Sequence, residues 1–200
     1  MLKKVKITLL IIIIVLLIGT GIYGIRIFEN KLAEKCVNED LIALEKEVEG
    51  MKVTIFGGSN EKTRNNVRSM GYMIRTKNGE VIFIDGGDWV DYDVVTSYIN
   101  KYTDGMIDHW IVTHGHSDHV GALRDVINKD NNYKIENIYY NLLTEEWYKN
   151  NDARGYESEK GILDALKSDK ILNRVICEEN QKIKIDNLEI DILRVANPEI

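Results

Sequence analysis

An uninterrupted apolar segment near the N-terminus is the strongest hydropathy feature of the sequence. Residues 7–25 contain no charged side chain, and residues 9–18 are all Leu, Ile or Val, so the segment has no polar face. About 20 apolar residues span the hydrocarbon core of a bilayer, and only a helix satisfies the backbone hydrogen bonds of a single segment there. The pattern therefore predicts one transmembrane helix.

Charges on either side of this helix predict its orientation. Three lysines lie between residues 3 and 6, whereas Arg26 alone follows closely. The positive-inside rule keeps the N-terminus in the cytoplasm, which makes the chain a single-pass protein of the cell membrane with an extracellular domain. A signal peptide cleaved near residues 19–21 is the alternative and would give a secreted protein. That segment lacks an A-x-A-like site, and the apolar run is longer than a usual signal-peptide core.

The segment after the membrane helix is predicted to be a helical stalk. Residues 28–49 are rich in Glu, Lys, Leu and Ala, carry a partial apolar stripe at helical spacing, and end at Gly50. The predicted organisation is thus an anchor (1–26), a stalk (27–50) and a globular domain (51–200).

The globular domain alternates strand patterns with helix patterns. Strands are predicted at residues 51–56, 72–76, 81–84, 110–112, 135–140, 175–177, 182–185 and 188–195. Helices are predicted at residues 90–102, after Ser117, and at 145–150 and 159–166. This alternation, with hairpin patterns at both ends, indicates the α/β class: a mixed sheet covered by helices.

The charge balance of the exported part argues against a nucleic-acid-binding surface. The net charge is −6, but residues 1–26 hold four basic and no acidic side chains, which leaves 22 basic against 32 acidic in the remainder. Basic side chains gain binding free energy on a polyphosphate by releasing its counterions, and an acidic surface lacks this gain. Nucleic acid is therefore a disfavoured partner. Cys36 and Cys177 lack metal-type spacing and are predicted to be free thiols, with a single disulfide as the alternative.

Candidate chemistry is concentrated in one short run between a predicted strand and a predicted helix. His114, His116, Asp118 and His119 place three of the four histidines of the protein and one carboxylate within six residues. Imidazole nitrogen and carboxylate oxygen are ligands that zinc and similar divalent ions take in proteins. A solvated polar turn is the alternative interpretation, but four donors at this spacing favour a metal site.

This run, read together with Ile84-Asp85-Gly86-Gly87 upstream, resembles the metallo-β-lactamase-fold superfamily of metallohydrolases. The likeness covers residues 51–197, and residues 72–123 are most similar to the metallohydrolase domains of DNA-uptake competence channel proteins and their freestanding bacterial relatives. The resemblance implies the N-terminal half of an αββα sandwich with its metals at one edge. It also implies that Asp85 hydrogen-bonds near the metal loop and fixes its shape, and that Gly121 lets the following helix pack closely.

The resemblance further implies two divalent metal ions, expected to be zinc, with manganese as the alternative. His114 and His116 would bind the first ion, and Asp118 and His119 the second. Two such ions lower the pKa of a water molecule towards neutrality, and Asp118 could orient that water and act as general base.

The expected function is that of a membrane-anchored, metal-dependent hydrolase. Its substrate would be a phosphodiester, or alternatively a small molecule with an ester or amide bond. Family members use three further ligands downstream, whereas this sequence has no histidine after His119. The chain is therefore expected to be a fragment of a longer hydrolase with weak or no activity alone. The alternative is a degenerate, non-catalytic surface domain that binds metal or a protein partner, and a DNA-uptake accessory is a third hypothesis.

Overall fold

The computed structural model describes residues 45–48, 50–56 and 69–197. The predicted membrane anchor and Cys36 lie outside the described residues, as does the stalk up to residue 44. Within the described part of the chain, no helix is both long and apolar enough to cross a bilayer.

Seven strands form one mixed sheet in chain order. They are β1 (Glu45–Val48), β2 (Met51–Phe56), β3 (Gly71–Arg75), β4 (Val81–Asp85), β5 (Met106–Val112), β6 (Lys134–Tyr140) and β7 (Ile171–Ile176). Strands β1 to β4 pair antiparallel, and β4 to β7 pair parallel. Strands β8 (Lys182–Ile185) and β9 (Leu188–Asp191) form a separate antiparallel hairpin.

Helices connect the parallel strands, as a parallel sheet requires. They are α1 (Tyr92–Tyr102), α2 (Ser117–Asn128), α3 (Glu145–Asn151) and α4 (Tyr156–Ala165), with a short 3₁₀ helix at Trp89–Asp91. The predicted α/β class is therefore confirmed. Its physical basis is the alternation of short apolar runs with amphipathic segments.

The end of the predicted stalk is a strand. Residues 45–48 pair with β2, from Glu45 opposite Thr54 to Val48 opposite Met51. Gly50 has a φ of +83°, a left-handed conformation that turns the chain back on itself. Hydrogen bonding to the sheet thus overrides the helical propensity of Glu and Lys, and the helix prediction is wrong over these four residues.

The core lies on both faces of β4 and β5. Phe83 and Trp110 are fully buried and stack with ring centroids 4.7 Å apart. On the other face, Ile82 and Ile111 pack in one buried cluster with Cys177 and with the β8–β9 hairpin. Strand β4 is thereby buried on both sides, as its continuous apolar sequence predicts.

This topology brings two loops to one edge of the sheet. Strand β4 ends at Asp85 and its parallel neighbour β5 ends at Val112. The carboxyl ends of adjacent parallel strands lie side by side, and ligands of open α/β sheets bind outside these ends. The Asp-Gly-Gly loop and the histidine loop therefore meet.

Candidate metal centre

Asp85 joins the two loops through its carboxylate. The residue is 2% exposed and accepts hydrogen bonds from the Thr113 backbone N–H (2.8 Å) and the Thr113 hydroxyl (2.6 Å). It also lies 2.9 Å from Nδ1 of His119, and its backbone carbonyl accepts from Nε1–H of Trp110 at 2.8 Å. Asp85 has a φ of 55°, a left-handed conformation that Asp adopts more readily than most residues. These bonds hold the strand end in that conformation.

The two glycines after Asp85 allow the start of α2 to pack against the loop. The Gly86 N–H donates to the carbonyl oxygen of His119 at 2.6 Å, and Gly87 pairs with Val120 in an isolated bridge. A Cβ on Gly121 would lie 2.7 Å from the carbonyl carbon of Asp88, nearer than real Cβ contacts come. The close packing expected for Gly121 is thus present.

Three imidazole rings form one cluster beside Asp85. The ring centroid of His114 lies 4.1 Å from that of His116 and 5.0 Å from that of His119, with the rings edge to face in both pairs. Burial, followed by the neighbouring His116 and His119, lowers the pKa of His114. His114 therefore stays neutral over a wider pH range, and a neutral imidazole is the form that ligates metals.

His119 is oriented by its hydrogen bond to Asp85. Because a carboxylate only accepts, the hydrogen of this bond belongs to Nδ1, and Nε2 keeps the lone pair in the neutral ring. The same hydrogen bond is the main cause that raises the pKa of His119. Ligating histidines commonly donate their second N–H to a carboxylate in this way.

Asp118 lies in the first turn of α2, half-buried, where it interacts electrostatically with His114 and His119. It also borders an open cavity of about 510 Å³. The cavity is lined by His116, Ser117, Asp118, Asp152, Arg154, Gly155 and Ser158.

His116 contacts two acidic residues that the sequence did not single out. Its Nε2 lies 2.8 Å from Oδ2 of Asp152 and 3.5 Å from Oε1 of Glu159. Among the residues that the structure describes, this is the one group of three whose potential ligand atoms lie within 4.8 Å of one another. The hydrogen bond from His116 is the main cause that lowers the pKa of Asp152, whereas burial, and then Asp152, raises the pKa of Glu159 to about 7.

A sequence model of the Metallo-beta-lactamase superfamily matches residues 64–185. The chain belongs to the metallo-β-lactamase superfamily. The predicted family is thereby confirmed, while the closer relationship to competence channel domains stays a prediction.

Several solved structures are similar to this member of the superfamily. A subclass B3 metallo-β-lactamase of Bradyrhizobium japonicum is 17% identical over 62% of this chain and 44% of that chain, with a TM-score of 0.41. A subclass B3 metallo-β-lactamase from a soil metagenome library is 10% identical over 71% and 48%, with a TM-score of 0.43. A flavo di-iron protein variant from Thermotoga maritima is 16% identical over 70% and 32%, with a TM-score of 0.39. The chain thus spans about a third to a half of their length, and no curated protein matches it.

The donor types of this superfamily member suit divalent metal ions, but among the described residues His114, His116, Asp118 and His119 do not place three ligand atoms within 4.8 Å of one another. The three imidazole rings are adjacent. The pKa of His114 is lowered, Nδ1 of His119 is held by the Asp85 carboxylate, and Asp118 adds an oxygen donor beside the rings. The fourth histidine, His109, instead contacts Tyr139 and Glu80 from within β5. His109 therefore lies apart from the cluster, in agreement with the sequence-based expectation of a structural role.

Proposed function

We propose that this metallo-β-lactamase superfamily member is a metal-dependent hydrolase whose divalent ions bind at His114, His116, Asp118 and His119. The observation that carries the proposal is the cluster of three imidazole rings, with centroids 4.1 and 5.0 Å apart, at the carboxyl ends of β4 and β5. Bound ions would lower the pKa of a water molecule and stabilise negative charge on the substrate. Zinc is the expected metal, with manganese as the alternative.

The residues of the chain would supply position and proton transfer. Asp118 borders the open cavity and would orient the attacking water and accept its proton. Asp85 would keep His119 in one tautomer and one orientation through the Nδ1 hydrogen bond. Thr113, which donates twice to Asp85, would prevent that carboxylate from turning away.

A phosphodiester is the proposed substrate, ahead of an ester or amide. Arg154 lines the same cavity as His116 and Asp118, and a guanidinium binds phosphate oxygens in a bidentate manner. The cavity is open, so it would accept an extended substrate as well as a small molecule.

The test compares metal content and hydrolysis in the 200-residue chain. Wild type is expected to bind zinc or manganese, measured by elemental analysis after dialysis, and to hydrolyse bis(p-nitrophenyl) phosphate faster than p-nitrophenyl acetate. His116→Ala should lose both properties, whereas His109→Gln is the matched control, since it removes a histidine outside the cluster.

The outcomes separate the competing functions. Unchanged metal stoichiometry in His116→Ala would refute the site. Metal binding without hydrolysis of either compound would agree both with a non-catalytic surface domain and with a chain that needs the three further ligands for activity.

The proposed location is the cell membrane, with the N-terminus in the cytoplasm and the hydrolase domain outside. Its support is the uncharged segment 7–25 and the lysines before it. Protease added to intact cells should then degrade the domain. Complete protection would reverse the topology, and recovery of the domain from the medium would favour cleavage and secretion.

A further inference from the structure

We propose that Asp152 and Glu159 are positioning residues for His116: Asp152 holds the ring by its Nε2–H, Glu159 packs against the same loop, and Nδ1 is left as the nitrogen that ligates metal. The inference rests on the proposed metal site. It concerns two residues that lie far from the histidine run in sequence and are placed beside it by the helices between β6 and β7.

The Nε2 side of His116 has the geometry of a hydrogen bond. Asp152 Oδ2 lies 2.8 Å from Nε2, and the other Asp152 oxygen accepts the backbone N–H of Gly155 at 2.9 Å. Because the carboxylate can only accept, Nε2 must carry the hydrogen. In a neutral imidazole the lone pair then belongs to Nδ1.

Glu159, near the start of α4, packs against the same loop. Its side chain is 2% exposed, and Oε1 lies 3.5 Å from Nε2 of His116. A Cβ on Gly115 would lie 3.0 Å from Cγ of Glu159, so the loop packs directly on this side chain. Ser158 adds a hydrogen bond from its hydroxyl to the Gly115 carbonyl at 3.0 Å. The start of α4 therefore supports the segment between the first two histidines.

A cation held directly by Nε2, Asp152 and Glu159 is the competing interpretation of this group. The distance between Nε2 and Oδ2 of Asp152 argues against it, because 2.8 Å is the length of an N–H···O hydrogen bond between the two atoms. A Cβ on Gly155 would lie 2.6 Å from Nε2, so the glycine leaves the ring free to approach Asp152.

His116 and His119 are then held by opposite nitrogens. Asp85 takes the Nδ1–H of His119, and Asp152 takes the Nε2–H of His116. Carboxylates that orient ligating histidines are worth about 10–100-fold in metal affinity. Removing Asp152 should therefore weaken metal binding without removing a ligand.

The first experiment determines the tautomer of His116 in the full-length, metal-free protein. Long-range ¹H–¹⁵N correlation on histidine-labelled protein should show the Nε2–H form, with the signal assigned by its loss in His116→Gln. Asp152→Ala should give a mixture of both tautomers. Asp152→Asn keeps the size of the side chain but offers one oxygen to two N–H donors, so it should give an intermediate tautomer ratio. This variant also serves as a control for a folding defect in Asp152→Ala.

The second experiment measures zinc affinity by competition with a chromophoric chelator. Asp152→Ala should bind zinc about 10–100-fold more weakly than wild type, and Glu159→Gln should show a smaller loss. Glu157→Gln is the matched control, because Glu157 is exposed on the same helix. Its zinc affinity should not change.

Three results would overturn the inference. They are an Nδ1–H tautomer of His116 in wild type, an unchanged tautomer and zinc affinity in Asp152→Ala, and a zinc-induced shift at Nε2 in place of Nδ1. The last result would make the two carboxylates direct ligands. Absence of zinc binding in wild type would instead refute the metal site of the proposed function, while the tautomer measurement would still decide the role of Asp152.

Discussion

Replacing Gly121 by alanine tests the close packing at the start of α2. The added Cβ would lie 2.7 Å from the carbonyl carbon of Asp88 and 3.0 Å from its Cα, and nearer still to the backbone nitrogen of Trp89. Carbon atoms in contact are normally about 3.5–4.0 Å apart. Because all three neighbours are backbone atoms, no side-chain rotation can relieve the overlap. Helix α2 or the 3₁₀ helix must move.

The magnitude follows from two opposing effects. Alanine is more favourable than glycine in a helix interior by about 1 kcal/mol. Overpacking costs about 1–3 kcal/mol and occasionally more, and rigid backbone neighbours place this site at the upper end. We therefore expect Gly121→Ala to lower the free energy of unfolding by about 2 kcal/mol. For a chain of this size that corresponds to a decrease in Tm of roughly 4–8 °C.

Thermal unfolding of the full-length, metal-free protein, followed by circular dichroism, measures this change. Gly161→Ala in α4 is the matched control, because the added Cβ there would meet only the side chain of Arg124, which can rotate away. Its Tm should be unchanged or raised. If Gly121→Ala were as stable as wild type and Gly161→Ala, the close contact between Gly121 and the backbone of Asp88 and Trp89 would be wrong.

Three further predictions concern buried polar groups. Glu159 has its usual pKa of 4.5 raised to about 7 on folding, so its ionisation destabilises the fold increasingly between these pH values. Glu159→Gln should therefore leave the free energy of unfolding in urea unchanged at about pH 4. At about pH 8 it should raise that free energy by up to about 3 kcal/mol, since one pKa unit corresponds to about 1.4 kcal/mol. An equal effect at both pH values would contradict this prediction. Asp85→Asn should cost about 1–3 kcal/mol by leaving Thr113 or His119 without its acceptor. It should also return the raised pKa of His119 towards 6.5 in an NMR titration. The stability difference from wild type should shrink as the pH rises through that raised pKa, and an unchanged His119 titration would count against the pair. Trp110→Phe should cost at least about 1 kcal/mol, since the buried Asp85 carbonyl loses its Nε1–H donor; unchanged stability in urea would show that this bond contributes nothing.

The local sequence was sufficient for most of the elements and for the order of the motif. Strand β4 and helix α1 lie where their apolar patterns predict, because burial of apolar side chains acts with the period of each element. The position of Asp85 beside the histidine loop was implied by the family resemblance, and the structure explains it because β4 and β5 are neighbouring parallel strands. Strand β1 could not be predicted from the sequence, because its residues favour a helix and become a strand only by pairing with β2.

The remainder of the candidate site was decided by the tertiary structure. Asp152 lies 36 positions from His116, in a polar turn whose sequence has no ligand spacing of its own. It reaches the histidine only because the crossover from β6 to β7 carries α3 and α4 to the carboxyl edge of the sheet. The sequence by itself therefore determined the elements and the four donors, which are neighbours because they lie within six residues of one another along the chain. Packing between distant segments decided which acidic groups face those donors, because that contact depends on the path of the whole connection.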